Sequence, residues 1–352
     1  MAIKTTTIGA YPKPDFLYVS DWFDLANGGP DASDPTARYA NELANLGDDA
    51  ESQFVRAAKA VIDDQVEAGI DIVTDGEVRR ENYIHYHCRH IDGIDFRHLT
   101  ETSVRGGNYS AKLPTITGPV KAMAPFLPHD WKTAQAHSDR PVKITVPGPM
   151  TIGDTVADDY YGDPKKRGAD LAEALNREIR ALADAGAVYI QVDEPVFARK
   201  ADQALDFGFE NLERCFHGLP DSVIRTVHMC CGYPDRLDNP DYTKAPKDSY
   251  FQLAPAIEAS CIQAVSVEDA HRNNDLSLLE MFKTTTVIFG VVAIAKSEVE
   301  SVDNIAQRLA NAVEHIDPER LIAAPDCGLG LLGRDLARIK LKNLCQAAAR
   351  VG

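Results

Sequence analysis

The sequence predicts an α/β fold, a single (β/α)8 TIM barrel that spans residues 1–352 and carries insertions after strands 1 and 2. Two observations support this fold class. Eight short apolar, β-branched runs alternate with long amphipathic stretches, and each run ends in small, polar or metal-ligand residues. Continuous apolar strands followed by helices are typical of a parallel sheet that is covered on both faces. A doubly wound sheet is the alternative.

The eight predicted strands are KTTTI (4–8), IDIVT (70–74), VKITV (142–146), VYIQV (188–192), VIRTVH (223–228), IQAVSV (262–267), TVIFGVV (286–292) and LIAAP (321–325). Helical periodicity covers 51–68, 168–185, a stretch capped by Ser301 and the tail 335–350. Residues 9–50 and 80–140 are too long for ordinary connections, so both are predicted insertions, the second with a hairpin around Lys112–Pro119. The chain lacks a Pro/Gly/Ser-rich linker, which favours one domain.

Composition limits the classes of function. The net charge is −16, which argues against nucleic acid or an anionic membrane as the main partner. The start lacks an apolar signal core, and the apolar runs are shorter than the roughly 20 residues of a membrane span. Seven scattered cysteines are expected to be reduced thiols. We therefore expect a cytoplasmic protein, monomeric or homo-oligomeric.

Ligand-type residues at three strand ends predict a metal site. Residues i and i+2 of a strand point to one face, so His228 and Cys230 can reach one ion above the barrel mouth. Glu268 ends the next strand and Cys327 follows the last. One nitrogen, two sulfurs and one oxygen suit tetrahedral zinc. The alternative for the His-x-Cys pair is a buried histidine beside a buried thiol.

Neighbouring motifs are assigned other roles. Cys231 points to the opposite face of its strand and is expected in the core, whereas His85, His87 and His90 are read as loop histidines at the surface or near substrate. GLGLLG (328–333) matches G-x-G-x-x-G, but no βαβ unit fits before Gly352, so a dinucleotide site is not predicted. Its glycines are expected to let the loop turn tightly beside the site.

With these residues in view, nearly the whole chain resembles the C-terminal catalytic domain of the cobalamin-independent methionine synthase family, including its shorter single-domain members. The resemblance rests on TTTIGAYP (5–12), DGEVRREN (75–82), VPGPMTI (146–152), IQVDEP (190–195), VHMC (227–230), VSVE (265–268) and PERLIAAPDCGL (318–329).

The resemblance implies a (β/α)8 barrel with zinc held by His228, Cys230, Glu268 and Cys327. It implies that Glu77 and Asp193 hold the ammonium of an amino-acid thiol, with the turn Ile8, Gly9 and Ala10 near its carboxylate. A helix cap or a salt bridge with Arg79 or Arg80 is the structural alternative for the two acids. The expected reaction is zinc-dependent methylation of a thiol, homocysteine in the first place, to give methionine.

Two departures concern the methyl donor. The folate-using family has a tryptophan soon after its Gly-Pro-x-Thr-Ile segment, whereas residues 153–163 contain none, and Tyr160 or Tyr161 is the possible substitute. The family also has Asp-x-His after its seventh strand, where this chain has Ala293 and Ala295, followed by Lys296. The donor is therefore left open between methyl-folate, a methylated corrinoid, free or protein-bound, and another small methyl compound. For methyl-folate, Lys296 or a loop residue such as His85 or His87 is the alternative source of the proton.

Three other functions remain as alternatives. A zinc alkyl-transferase or lyase would act on another thiol, such as coenzyme M with an epoxide, but that sulfonate carries no ammonium for Glu77 and Asp193. A decarboxylase of the uroporphyrinogen type shares the barrel and needs no metal. A zinc-stabilised binding protein would have a closed metal site and would not respond to thiols.

Overall fold

The computed structural model describes residues 3–23, 34–104, 109–234, 236–239 and 241–351. Its strands are β1 (Lys4–Thr5), β2 (Val73–Thr74), β3 (Ile91–Val104), β4 (Tyr109–Ala122), β5 (Val142–Pro147), β6 (Ala157–Asp158), β7 (Tyr189–Asp193), β8 (Ile224–Met229), β9 (Ala264–Glu268), β10 (Thr286–Val292) and β11 (Leu321–Pro325). Its α-helices are α1 (Asp34–Leu46), α2 (Ala50–Ala68), α3 (Tyr83–Cys88), α4 (Leu127–Gln135), α5 (Pro149–Thr155), α6 (Pro164–Ala185), α7 (Pro195–Arg199), α8 (Ala201–Gln203), α9 (Phe209–Phe216), α10 (Ser249–Ala259), α11 (Val302–Ala312) and α12 (Arg334–Val351).

Eight of these strands form one parallel sheet in the order β1-β11-β10-β9-β8-β7-β5-β2. A parallel bridge between Thr6 and Ile72 joins the two ends of the sheet, so the strands follow one another around a barrel in chain order. Each of the eight predicted strands overlaps one of these strands. The predicted (β/α)8 barrel is confirmed, and the doubly wound alternative is wrong.

The four predicted helical stretches correspond to α2, α6, α11 and α12. The Ser301 hydroxyl accepts a hydrogen bond from the Asn304 amide at the start of α11, as predicted. The helices α2 and α6 both end at a glycine with left-handed backbone, Gly69 (φ 105°) and Gly186 (φ 108°). Among the described helices, none is long and apolar enough to cross a bilayer.

The two long connections contain additional elements. The first carries α1 ahead of α2, and the second carries α3, the hairpin β3–β4 and α4. The hairpin strands are antiparallel, and Lys112 pairs with Glu101. The predicted hairpin is therefore present, but Lys112–Pro119 lies within its second strand and not around its turn.

Buried hydrophobic residues form one large core and a second, small cluster. Ile8, Ala264, Ile288 and Ala324 form a small interior cluster. Lys143 on β5 is fully buried, and its Nζ has no hydrogen-bond partner among the described residues. Burial lowers the pKa of this ammonium to about 7.

Candidate metal centre and substrate site

Three of the predicted metal ligands converge at the carboxyl end of the barrel. His228 lies on β8, Cys230 directly follows that strand, and Cys327 lies two residues beyond β11. One ligand atom from each of the three lies within 4.8 Å of the other two. His228 and Cys230 are buried, and Cys327 is partly exposed. The sequence predicted that these groups lie close together because all the parallel strands of a closed barrel end at the same mouth.

Contacts at both ring nitrogens orient the His228 side chain. Nδ1 lies 2.9 Å from the Ser266 hydroxyl on β9, and Nε2 lies 3.3 Å from the Cys327 sulfur. Burial, with a smaller effect of the Lys143 charge, lowers the pKa of His228 to about 3. The imidazole is therefore neutral near pH 7. In the tautomer whose Nδ1–H donates to Ser266, Nε2 faces the thiols with a lone pair available for a metal.

The pKa values of Cys230, Cys327 and Glu268 are all raised, so these groups keep their protons to a higher pH than usual. The hydrogen bond with Cys327 and burial raise the pKa of Cys230. The same bond lowers the pKa of Cys327, but burial and the nearby Glu268 outweigh it. Burial raises the pKa of Glu268 well above its ordinary value. A cation at this position would offset these penalties by binding the ionised forms.

Glu268 lies beside the three ligands but does not join their tight group. Its Oε1 accepts a hydrogen bond from the Cys231 amide at 3.0 Å, and its carboxyl group contacts Cys230. Among the described residues, the group of ligand atoms within 4.8 Å contains only His228, Cys230 and Cys327. Cys231 itself is fully buried, as expected for a core position.

The donor set fits zinc. Zinc binds histidine nitrogen at about 2.0–2.1 Å and thiolate sulfur at about 2.3 Å, so two tetrahedral ligands lie roughly 3.3–3.8 Å apart. The 3.3 Å between His228 Nε2 and Cys327 Sγ falls in that range. A neutral imidazole and two thiols leave a position for a carboxylate or a substrate sulfur.

The two predicted substrate acids differ in how they are held. Glu77 Oε1 accepts hydrogen bonds from the Thr145 hydroxyl at 2.6 Å and from Arg80 at 3.2 Å. Asp193 accepts one from the Gln191 amide at 2.7 Å, and among the described residues it makes no ion pair. The salt-bridge alternative therefore applies to Glu77, through Arg80, and not to Asp193.

The turn at Ile8–Ala10 lies against both acids. The Gln191 amide donates to the Ile8 carbonyl at 2.8 Å as well as to Asp193, which links the turn to β7. A Cβ on Gly9 would lie 2.7 Å from a Glu77 oxygen, so this position requires the close approach that glycine permits. The structure thus brings the predicted substrate residues into one group.

Glu77 also has an unusual backbone. Its φ of 56° lies in the left-handed region, which is costly for a residue with a side chain. The Asp75 carboxylate accepts the Glu77 amide at 3.1 Å and helps to hold this conformation. Such strain is concentrated at functional sites, and no residue pattern around Glu77 predicts it.

Two tyrosines that sequence reasoning missed lie near the metal-ligand candidates, and Tyr83 lies near the two acids as well. Burial raises the pKa of Tyr83 well above its ordinary value, and the nearby charges of Asp193 and Cys327 add to the effect. Tyr233 has Cys327 as a neighbour too, and its hydroxyl donates to the Gly328 carbonyl at 2.9 Å. The ring of Trp22 lies 5.9 Å from Tyr83 and 5.7 Å from Tyr233.

The two tyrosines proposed to replace the missing tryptophan lie elsewhere. Tyr160 is exposed, and the Tyr161 hydroxyl donates to Asp170 and accepts from the Val120 amide of the hairpin. Trp22 comes from the first long connection, far from residues 153–163 in the sequence. Its part in the site depends on the path of that connection, which periodicity does not predict.

The interpretation of His85, His87 and His90 as loop histidines is wrong for the first two. His85 and His87 are buried on α3. His85 Nδ1 contacts the Thr36 hydroxyl and its Nε2 the Thr155 carbonyl, and burial lowers its pKa to about 4. His90 is partly exposed and stacks on Phe126 at 3.8 Å. The short helix was missed because its N-cap, Asn82, lies in a long insertion.

The glycines after Cys327 let their loop pack closely against neighbouring residues. A Cβ on Gly328 would lie 3.1 Å from the Ala10 side chain, and one on Gly330 would overlap the Phe23 ring. The Leu329 amide donates to the Ala10 carbonyl at 2.7 Å. The loop therefore packs against the substrate turn, and neither glycine has the positive φ of a tight turn.

Comparisons with known proteins show the family of the chain. The family model described as the catalytic domain of cobalamin-independent synthase matches residues 30–214 and 243–350. A methionine synthase of Sulfolobus acidocaldarius is 30% identical over 346 residues, which cover 97% of this chain and 90% of that protein. A methionine synthase of Thermococcus kodakarensis is 29% identical, with 97% and 91% covered.

Solved structures share the fold. The structure of a B12-independent methionine synthase from a Shewanella species, in complex with selenomethionine, superposes with a TM-score of 0.85. It is 29% identical, and the match covers 100% of this chain and 98% of that chain. A putative vitamin-B12-independent methionine synthase from Listeria monocytogenes has a TM-score of 0.71 at 18% identity, which supports the fold alone.

Proposed function

The chain belongs to the cobalamin-independent methionine synthase family, and we propose that it methylates the sulfur of homocysteine to give methionine, with the help of a bound metal. One observation carries the proposal. A nitrogen and two sulfurs lie within 4.8 Å of one another at the barrel mouth, next to a separate pair of carboxylates. This combination suits a substrate that has both a thiol and an ammonium group.

We assign the metal as zinc, held by His228, Cys230 and Cys327 with Glu268 as the fourth ligand. Bound there, zinc would supply the positive charge that makes a substrate thiol ionise near neutral pH. Glu268 would have to turn from the Cys231 amide to hold the metal, and the substrate sulfur would bind either in addition to this carboxylate or in its place. Ser266 keeps His228 in the orientation that presents Nε2.

The substrate's amino-acid end is assigned to the second group of residues. Asp193, with one oxygen not engaged by Gln191, pairs with the ammonium, and Glu77 lies close enough to raise the Asp193 pKa further. The backbone at Ile8–Ala10 lies near the substrate carboxylate. With its ammonium and its carboxylate both held, the substrate would present its sulfur to the methyl donor in a fixed direction.

The transfer itself needs no covalent enzyme intermediate. A sulfur lone pair forms the new S–C bond, the electrons of the broken bond stay with the donor's leaving group, and the thiol proton passes to solvent. Methyl-folate additionally needs a proton on its leaving amine. The positions that the family fills with an acid and a histidine are Ala293 and Ala295 here, and Lys296 is exposed beside α11. We propose a methylated corrinoid as donor, because the reduced cobalt leaves without a proton.

The test measures methionine formed per minute by zinc-loaded protein with homocysteine and equal concentrations of methylcobalamin or methyl-tetrahydrofolate. Faster turnover with methylcobalamin supports both parts. Rapid turnover with methyl-tetrahydrofolate alone overturns the donor assignment and keeps the homocysteine activity. If homocysteine neither reacts nor binds to zinc-loaded protein in calorimetry, the proposed function itself is wrong.

A further inference from the structure

Asp326, the residue before Cys327, is one of the most heavily hydrogen-bonded carboxylates in the described part of the chain. It is fully buried. Oδ1 accepts the amides of Asp269 and Ala270, each at 2.9 Å. Oδ2 accepts the His271 amide at 2.7 Å and the His271 ring Nδ1 at 2.6 Å. All four donors come from the three residues that follow Glu268.

These hydrogen bonds connect two strand ends that are not neighbours in the sheet. β10 lies between β9 and β11, so the Asp326 side chain reaches across it. Gly290 on β10 gives the carboxylate its space, because a Cβ there would overlap it. The Asp326 amide donates to the Val292 carbonyl of β10 at 3.0 Å, which holds the Asp326 backbone in place. Asp326 and the four hydrogen bonds of its side chain thus form a bridge between the end of β11 and the segment that follows β9.

The bridge connects two of the proposed metal ligands. Cys327 follows Asp326 directly, and Glu268 directly precedes the segment that supplies the four donors. A shift of the β9 segment relative to the end of β11 would change the separation between the Glu268 carboxylate and the Cys327 sulfur. A zinc site tolerates little change, since its ligand distances are fixed to about 0.2 Å.

The histidine completes the bridge through one nitrogen. Because a carboxylate oxygen accepts from Nδ1, this nitrogen carries the ring hydrogen of the neutral imidazole. Nε2 is buried and has no hydrogen-bond partner among the described residues. A buried nitrogen without a partner costs free energy, so the ring is kept in place by Asp326 and its packing and not by a second hydrogen bond.

We infer that Asp326 and His271 form a positioning pair that sets the spacing of the metal ligands Glu268 and Cys327. The inference rests on the proposed metal site. The pair does not touch the metal or the substrate. It acts through the ligands on either side, as hydrogen-bonding partners outside a metal's ligand shell commonly do.

Asp326→Asn tests the pair directly. An asparagine keeps one acceptor oxygen but presents an N–H group to the donors of His271. Changes in such outer partners typically lower metal affinity about 10–100-fold, and we expect that range here. The measurement is zinc affinity by competition with a chromophoric chelator, together with the thermal midpoint of the metal-free protein.

His271 provides a matched pair of variants. His271→Asn keeps an N–H group near the position of Nδ1 and is expected to retain zinc affinity within about 3-fold. His271→Leu removes the donor and should lose affinity as Asp326→Asn does, about 10-fold or more. In cobalt-loaded protein, the visible absorption spectrum should change for His271→Leu and stay unchanged for His271→Asn.

Asp64→Asn is the control for the loss of a buried carboxylate. Asp64 lies on α2 and pairs with Arg334, away from the proposed metal ligands. This variant should lower the thermal midpoint and leave zinc affinity unchanged. If Asp326→Asn and His271→Leu bind zinc as tightly as the unchanged protein, the pair only stabilises the fold and the inference fails. If the unchanged protein binds no metal, the proposed metal site fails first.

Discussion

Asp193 offers the most direct test of substrate recognition, because its carboxylate makes few interactions that stabilise the fold. One hydrogen bond from Gln191 holds it, and Asn can accept that bond through its own oxygen. Asp193→Asn should therefore keep the fold and the metal while losing the charge that pairs with the substrate ammonium. Glu77 is a poorer test, since its removal would leave Arg80 buried without its partner.

The expected loss follows from the chemistry of the pair. Hydrogen bonds to charged groups contribute about 1.5–3 kcal/mol when buried. At 1.36 kcal/mol for each factor of ten, kcat/KM for homocysteine should fall by about 10–150-fold. Burial raises the pKa of Asp193 well above its ordinary value, and Glu77 adds to this. The ionised fraction therefore grows as pH rises, so kcat/KM of fully metal-loaded protein should increase with pH until Asp193 is ionised. Asp193→Asn should lose that dependence.

The assay compares homocysteine with 4-mercaptobutanoate, the same thiol without its amino group. The unchanged protein should prefer homocysteine, and Asp193→Asn should lose most of that preference because only homocysteine uses the carboxylate. Glu194→Gln serves as the neighbouring control, since this carboxylate instead accepts the amides of Met150 and Thr151. Unchanged discrimination in Asp193→Asn, together with a lower thermal midpoint, would show that the carboxylate is structural.

Three further outcomes are expected. Cys327→Ala should lose most of the roughly one zinc per chain, measured by metal analysis after dialysis, and full retention would contradict the ligand assignment. Zinc affinity should rise with pH, because the raised pKa values of Cys230, Cys327 and Glu268 keep these groups protonated until the metal displaces the protons. Calorimetry in buffers of different ionisation enthalpy counts the protons released. A pH-independent affinity would refute this reasoning. Glu194→Gln should lower the free energy of unfolding by about 1–3 kcal/mol, measured by urea denaturation, because its amide N–H group faces the donors of Thr151; an unchanged midpoint would show that the site adapts.

The strands and the convergence of His228, Cys230 and Cys327 were predictable for one physical reason. Buried parallel strands are short apolar runs, and their carboxyl ends meet at one mouth of the barrel. The ligand types at the ends of β8, β9 and β11 therefore had to lie near one another once the barrel was inferred. The two-residue repeat of a strand then placed His228 and Cys230 on the same side.

The parts that escaped prediction depend on the paths of long connections. Trp22 and Tyr83 reach the site from segments whose course is set by packing and not by periodicity. The orientation of Glu268 depends on one backbone amide, that of Cys231, which no residue pattern reveals. His85 is buried because α3 packs on the hairpin and on α5. The sequence of such a short helix does not predict these tertiary contacts.

The region after β10 explains why the missing acid matters for the choice of donor. The Ala293 amide donates to Glu300 at 2.8 Å, and the buried Lys340 ammonium donates to the Ala293 carbonyl at 3.0 Å. The Ala295 carbonyl accepts the Asp238 amide at 2.8 Å, and both alanine side chains are buried. These hydrogen bonds hold the backbone of the segment on both sides, with alanines at the positions where the resemblance implies an acid and a histidine. A general acid typically contributes about 10²–10⁴-fold to rate, so under the proposed function a donor with an amine leaving group would react slowly without one. A methylcorrinoid avoids that loss altogether, since its cobalt departs with the bonding electrons and takes up no proton.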